Sequence, residues 1–165
     1  MMSVLQEIIH QTLLKYPELV GSVDTYAEIS LRFAEKFCDR QFEENTFVEE
    51  HKVFRSVIVL KNYPVTSIVS VTSLDGENTY SVKQFTRDGI VYLDDWVNDE
   101  WVKVTYTAGY TTLPKDLLNA LVELTAFFYK RETNMTTLRS GDFTVDFGDI
   151  PNDIKETLYR YRSGW

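Results

Sequence analysis

The sequence predicts an α+β fold: a helical bundle of about four helices with an inserted antiparallel β element and a β-hairpin before the C-terminal helix. Two observations carry this. Apolar residues recur at helical spacing before residue 40 and again after Pro114, whereas the stretch between them alternates with a period of two. In Val102-Lys-Val-Thr-Tyr-Thr-Ala-Gly-Tyr110 a period-2 strand runs into an aromatic-flanked glycine turn, and Pro114 then opens a helix with almost no polar side.

The elements follow in order within one predicted domain spanning residues 1–165. Residues 1–45 hold two helices. Ser3 is placed to cap the first, whose face is Leu5, Ile8, Ile9, Leu13 and Tyr16, and Pro17 stops it. Asp24 is the cap candidate for the second, with Tyr26, Ile29, Phe33 and Phe37 on one face and Ala34 and Cys38 beside them. Residues 46–110 form the β element. Its strand candidates are Val57–Leu60, Thr66–Thr72, Thr79–Phe85, Ile90–Leu93 and Trp101–Tyr106, with turn signals at Asn62-Tyr-Pro-Val65, Asp75-Gly76 and Asp88-Gly89.

The central helix takes residues 113–132. Leu117, Leu121, Leu124 and Phe128 make one stripe, Leu118, Val122, Ala126 and Tyr129 widen it, and only Asn119, Glu123 and Lys130 draw a narrow polar line. Such all-round apolarity demands burial from several directions. Residues 134–148 are predicted to form a hairpin about Ser140-Gly141, with Phe143, Val145 and Phe147 on one side. A lone hairpin is marginal in water, so that side needs cover. Residues 150–165 form the last helix, opened by Pro151, with Ile154, Leu158, Tyr161 and Trp165 along one stripe.

Composition narrows the function. The 165 residues carry 17 Lys and Arg against 25 Asp and Glu, a net charge of −8. A protein that grips nucleic acid by neutralising phosphates is basic, so this chain is not of that class. Its acidity serves solubility, and an acidic wall lets DNA slide past without sticking. The single cysteine, Cys38, excludes an internal disulfide, and its place on an apolar helix face predicts a buried, inert thiol. No run of about 18 apolar residues exists to span a membrane. The start, Met1-Met-Ser-Val-Leu-Gln-Glu7, lacks the basic segment and cleavage site of a signal peptide, which predicts a protein made in a reducing cytoplasm.

No residue pattern offers catalysis, and no catalytic, cofactor or metal site is expected. Asp94, Asp95, Asp99 and Glu100 are the densest acids. A metal-dependent hydrolase is the alternative they raise, but they share one local loop without a partner lysine or histidine, and a solvated loop accounts for them. His10 and His51 are solitary, and nothing in their spacing pairs either with Cys38. Neither glycine-rich phosphate-binding motif occurs. Tyr92, Trp96 and Trp101 raise a second alternative, an aromatic-platform binding module for sugars, although core and hairpin packing also explains them and is the favoured reading. Arg131, Arg139, Arg160 and Arg162 are candidates for contact with phosphate or an acidic partner, but they sit among Asp142, Asp146, Asp149, Asp153 and Glu156, which favours intersubunit salt bridges or solvation over a grip on DNA.

The order of these pieces, and above all Tyr63-Pro-Val-Thr-Ser-Ile-Val-Ser-Val71 and Val104-Thr-Tyr-Thr-Ala-Gly-Tyr110 followed by Leu113-Pro114, resembles the head–tail connector (adaptor, or head-completion) proteins of tailed bacteriophages over nearly the whole chain. The resemblance implies a non-enzymatic virion structural protein. It also implies a ring, commonly twelvefold, that docks on the portal protein, receives the stopper or tail-completion protein, and lets DNA pass through without sequence-specific binding. Its place would be the head–tail interface of the virion, with the host cytoplasm before assembly. Beside it, Leu158, Tyr161, Arg162 and Trp165 are the expected portal or partner contacts, since Trp and Tyr are enriched at binding hot spots. Phe143, Val145 and Phe147 are expected to meet a neighbouring subunit or line the ring, because a head-to-tail subunit needs two different adhesive faces.

Overall fold

The computed structural model describes residues 2–134 and 147–163. They form four α-helices and two small antiparallel sheets, and divide into two compact units. Of the described residues, unit 1 takes those up to 39 and those from 112 to 162, and unit 2 takes 40–111 with 163.

Unit 1 is helical. Helix α1 spans Val4–Lys15 and begins with a reciprocal cap: Gln6 N–H donates to Ser3 Oγ at 3.2 Å, and Ser3 N–H donates to Gln6 Oε1 at 3.0 Å. Each bond satisfies a donor that the first helical turn leaves without a partner. Replacing Ser3 with alanine is therefore expected to cost about 1 kcal/mol, read as a lower urea midpoint. A 3₁₀ turn at Pro17–Leu19 leads to α2, Val23–Cys38. This helix starts one residue ahead of Asp24, and its N-cap is Ser22, which makes no side-chain capping bond. It ends at Asp39, whose φ of 52° turns the chain away and whose N–H bonds back to Glu35 and Lys36 carbonyls.

Helix α3, Lys115–Asn134, touches each of the other three helices. Leu117, Leu121, Leu124 and Phe128 are fully buried, and Ala120, Val122, Thr125 and Ala126 are buried on the flanks. Even its narrow polar line is engaged. Glu123 accepts from Lys15 Nζ and, at 2.7 Å, from Tyr16 Oη, and Lys130 Nζ lies 5.1 Å from the centre of the Tyr16 ring. Edge-to-face ring pairs Tyr26–Tyr129 and Phe33–Phe128, with centroids 5.5 and 5.7 Å apart, lock α2 onto α3. After a 3₁₀ turn at Phe147–Asp149, α4 spans Asn152–Arg160, with Pro151 at its N-cap. Ile154 and Leu158 are its buried residues.

Unit 2 holds the six strands. They are β1 Asn45–Lys52, β2 Val57–Val59, β3 Val65–Ser73, β4 Val82–Phe85, β5 Ile90–Leu93 and β6 Trp101–Ala108. One sheet has the order β1-β6-β3 and the other β2-β5-β4, all pairs antiparallel. The two sheets share one core. Val102, Val104, Tyr106 and Ala108, the inward residues of β6, pack in one buried cluster with Val65 and Val71 of β3, Ile58 of β2, and Val91 and Leu93 of β5. The expected strands are present, with Thr79–Phe85 shortened at its start. Strand β1 was not among them: Asn-Thr-Phe-Val-Glu-Glu-His-Lys shows no apolar alternation, since the residues it turns inward are Phe47, Glu49 and His51.

Candidate functional site

The expected C-terminal contact residues lie at the end of α4. Leu158 is fully buried in unit 1, and Cys38 Sγ donates to its carbonyl at 3.3 Å, which confirms the buried thiol. Tyr161 follows the helix as its C-cap, and its hydroxyl donates to Asp116 Oδ1 at 2.7 Å. That bond, with Arg160 nearby, holds the Asp116 carboxyl below its ordinary value. The Arg162 guanidinium stands 5.6 Å from the centre of the Phe37 ring, and half-exposed Tyr159 meets Phe37 edge-on at 5.1 Å. The end of α4 is thus an aromatic and cationic corner on a buried Leu158 anchor. Trp165, Phe143 and Val145 lie outside the described residues. Phe147 opens the second 3₁₀ turn by its backbone, and its side chain is likewise outside them.

The acids at 94–100 are exposed, as a solvated loop requires. Asp99 pairs with Lys52 at 2.6 Å, and Glu100 accepts from Tyr80 Oη at 2.8 Å. Among the described residues no group of three or more His, Cys, Asp or Glu is arranged to hold a metal ion. Tyr92, Trp96 and Trp101 do not form a common platform: Tyr92 is half-buried opposite Val57, Trp101 lies opposite Lys52, and no ring contact joins the three among the described residues. Trp96 is instead 77% exposed on a segment fixed by the backbone. Val97 N–H donates to Ser56 Oγ at 3.0 Å, Ser56 Oγ–H donates to the Asp95 carbonyl at 2.9 Å, and Ser56 N–H donates to the Val97 carbonyl at 2.7 Å.

Three arrangements carry no signal in the sequence. The first is a buried clamp in unit 2. Glu49 accepts hydrogen bonds from Tyr106 Oη at 2.6 Å, Asn62 Nδ2 at 2.9 Å and Lys61 N–H at 3.1 Å, and its other contact is His51 Nε2 at 2.7 Å. Burial alone would raise the Glu49 carboxyl, but the bonds from His51, Tyr106 and Lys61 outweigh it and hold the carboxyl below its ordinary range. Burial and the neighbouring carboxylate push the Tyr106 hydroxyl up, out of reach of any physiological titration.

The second arrangement is Arg40, 3% exposed and stacked on the Tyr63 ring at 3.4 Å, with Phe42 and Tyr110 rings at 5.6 and 5.5 Å. Its Nη2 donates to the Tyr63 carbonyl. Together with Gln41 N–H, which donates to Asn62 Oδ1 at 2.8 Å, it fastens the turn that holds the cis Tyr63–Pro64 peptide. The third is a groove of about 700 Å³ between α1 and α3, with Leu14, Leu118 and Val122 on its walls and Glu7, Lys15 and Lys115 around them. All three are products of tertiary register, and none bears the residues of a reaction centre.

A family model described as "Head completion protein" matches residues 14–163. No curated protein matches the sequence. Among solved structures, a chain of "Neck of native GTA particle computed with C12 symmetry" superimposes with a TM-score of 0.61 at 15% identity, covering 93% of this chain and 88% of that chain. A chain of "Neck of empty GTA particle computed with C6 symmetry" gives 0.58 at 15% identity, covering 87% and 79%. A chain of "Virion of native gene transfer agent (GTA) particle" gives 0.54 at 15% identity, covering 87% and 78%. At that identity the likeness establishes a common fold.

Proposed function

Because the chain belongs to the head completion protein family, we infer that it is a structural, non-enzymatic head–tail connector subunit of a tailed-phage-type virion. It acts at the interface between the DNA-filled head and the tail, and resides in the host cytoplasm before assembly. The observation that carries this reading is the extent of the family match, which takes in α2, both sheets, α3 and α4. The fold shared with chains from necks computed with C12 and C6 symmetry supports a further step. Copies of this chain form a ring, twelvefold once assembled, that docks on the portal protein and receives the stopper or tail-completion protein.

Chemistry fits that role. Such a protein does its work by contact, and the side chains in question are aromatic and charged rather than nucleophilic. The net charge of −8 suits a ring through which DNA passes without being held. The portal-facing element of this reading is the end of α4: Leu158 anchors the helix from inside, Tyr161 and Arg162 present the contact, and Trp165 continues it. Phe143, Val145 and Phe147 supply the contact with a neighbouring subunit or the lumen.

The test is direct. Purified protein is mixed with portal rings of the same virus, and bound copies are counted by native mass spectrometry. One copy per portal subunit is expected, and Arg162→Glu is expected to weaken binding about tenfold, as loss of a charged interface contact does. Absence of binding between two folded partners would reduce the reading to a shared fold. Undiminished binding by Arg162→Glu would move the portal contact away from α4.

A further inference from the structure

Arg40 is a buried charge with no opposite charge beside it. Its side chain is almost wholly covered, and among the described residues no carboxylate pairs with it. Its Nη2 donates to the Tyr63 carbonyl, but Nε and Nη1 are buried and make no hydrogen bond. An isolated buried cation is costly, and a buried donor without an acceptor calls for a physical reason. The reason here is aromatic. The guanidinium carbon lies 3.4 Å from the centre of the Tyr63 ring, 5.6 Å from that of Phe42 and 5.5 Å from that of Tyr110. All three fall within the roughly 6 Å over which a ring face attracts a cation, and ring faces accept N–H groups that have no oxygen to meet.

The rings do not depend on Arg40 for their places. Hydrogen bonds fix the segments that bear them: Tyr110 N–H donates to the Phe42 carbonyl at 2.7 Å, Gln41 N–H to Asn62 Oδ1 at 2.8 Å and Gly109 N–H to the Pro64 carbonyl at 3.0 Å. Residues 40–42, 62–64 and 109–110 thus form one bonded frame inside unit 2. We propose that Phe42, Tyr63 and Tyr110 are a preformed cation-binding cage, whose ligand class is a guanidinium or an alkylated ammonium and whose resident ligand is the chain's own Arg40. A guanidinium suits it best, being planar, able to stack on a ring, and weakly hydrated. Self-ligation makes the cage a conformational device. The cation is carried by the first residue of unit 2, so filling the cage fixes the entering chain against the Tyr63 turn. The site stands apart from the connector reading, and neither falls with the other.

Emptying the cage and refilling it tests this. Arg40→Ala is expected to lower the melting temperature, followed by tryptophan fluorescence, by about 5–10 °C. Methylguanidinium at about 20 mM is expected to restore about 2–3 °C of that loss and to leave the parent unmoved, because the parent's cage is full. Methylurea, of the same shape but uncharged, is expected to restore nothing. Neither additive is expected to act on Arg40→Ala combined with Tyr63→Leu, which lacks the stacking face. A folded Arg40→Ala variant indifferent to methylguanidinium would overturn the cage. So would an equal response to methylurea, or a response that persists without Tyr63. Should Arg40→Ala not fold, Arg40→Lys and Arg40→Met decide, since both fill the space and only lysine is charged. Lysine melting higher upholds the site, and methionine melting at or above lysine overturns it.

Discussion

Replacing Glu49 with alanine is expected to destabilise unit 2 by about 3–4 kcal/mol, lowering its urea midpoint by roughly 2 M. Beside His51, three donors aim at this carboxylate: the Tyr106 hydroxyl, the Asn62 amide and the Lys61 N–H. Tyr106 is fully buried and Asn62 nearly so, so alanine leaves donors without acceptors in a place water reaches poorly. Each orphaned donor costs about 1–3 kcal/mol, and partial rearrangement keeps the sum toward the lower end. Glu49→Gln retains one acceptor and is expected to cost less than the alanine variant. The same site gives a pH signature. The Glu49 carboxyl lies lower in the folded chain than the ordinary value of about 4.3, so the unfolded state binds the proton first. Its contribution is complete above that ordinary value and drains away as the pH falls through the lower, folded one. Glu49→Gln has no such proton to gain, and its stability is expected to depend less on pH in the acid range. Trp96 and Trp101 both belong to unit 2, so tryptophan fluorescence follows the transition. An acid limb unchanged in the glutamine variant would show that the clamp does not govern it.

Gly109→Ala is the second large effect, expected at about 3 kcal/mol and a fall in melting temperature of roughly 10 °C. Gly109 has φ of 113°, a conformation L side chains rarely adopt, and an added Cβ would stand 2.5 Å from the Glu43 carbonyl oxygen and 2.7 Å from Glu44 Cα. These are backbone atoms and no rotamer change relieves the overlap. Nor does the backbone give easily: Tyr110 N–H donates to the Phe42 carbonyl at 2.7 Å, Glu44 N–H to the Tyr110 carbonyl at 3.2 Å, and Gly109 N–H to the Pro64 carbonyl at 3.0 Å. Gly76 is the control. Its φ is 78°, but nothing lies within 4 Å of an added Cβ, so Gly76→Ala is expected to show only the conformational penalty of about 1–2 kcal/mol. Equal melting temperatures for the two variants would refute the close approach at Gly109.

The contrast between these two sites bears on what a sequence discloses. Helix α3 was plain because its apolar residues repeat on nearly every face, and β5 because Ile90-Val-Tyr-Leu93 is a β-branched and aromatic run between turn signals. Cys38 followed from the helical phase of its neighbours. Glu49 and Glu50 are indistinguishable in the sequence, yet pairing β1 with β6 sets Glu49 against Val104 on the inner face and Glu50 against Lys103 on the outer one. Only register separates a clamp from a surface charge. Tyr161 shows the same limit in a helix: an apolar stripe names its position, but its bond to Asp116 depends on where α4 lies along α3. The exposure of Trp96 was equally closed to inspection, since it follows from hydrogen bonds to Ser56, forty residues earlier in sequence by count from Ser56 to Trp96.

The close approach at Gly109 has a further consequence. The chain passes into the β unit at Phe42–Glu44 and out of it at Gly109–Tyr110, and hydrogen bonds bind these two points side by side. The segment between them is thereby closed on itself at its two ends. Loop closure grows only slowly with the length enclosed, and here the stems are already joined. Length added at the unit's outer turns is accordingly expected to leave that joined pair of stems unchanged, because the closure is made by their own hydrogen bonds and not by what lies between them.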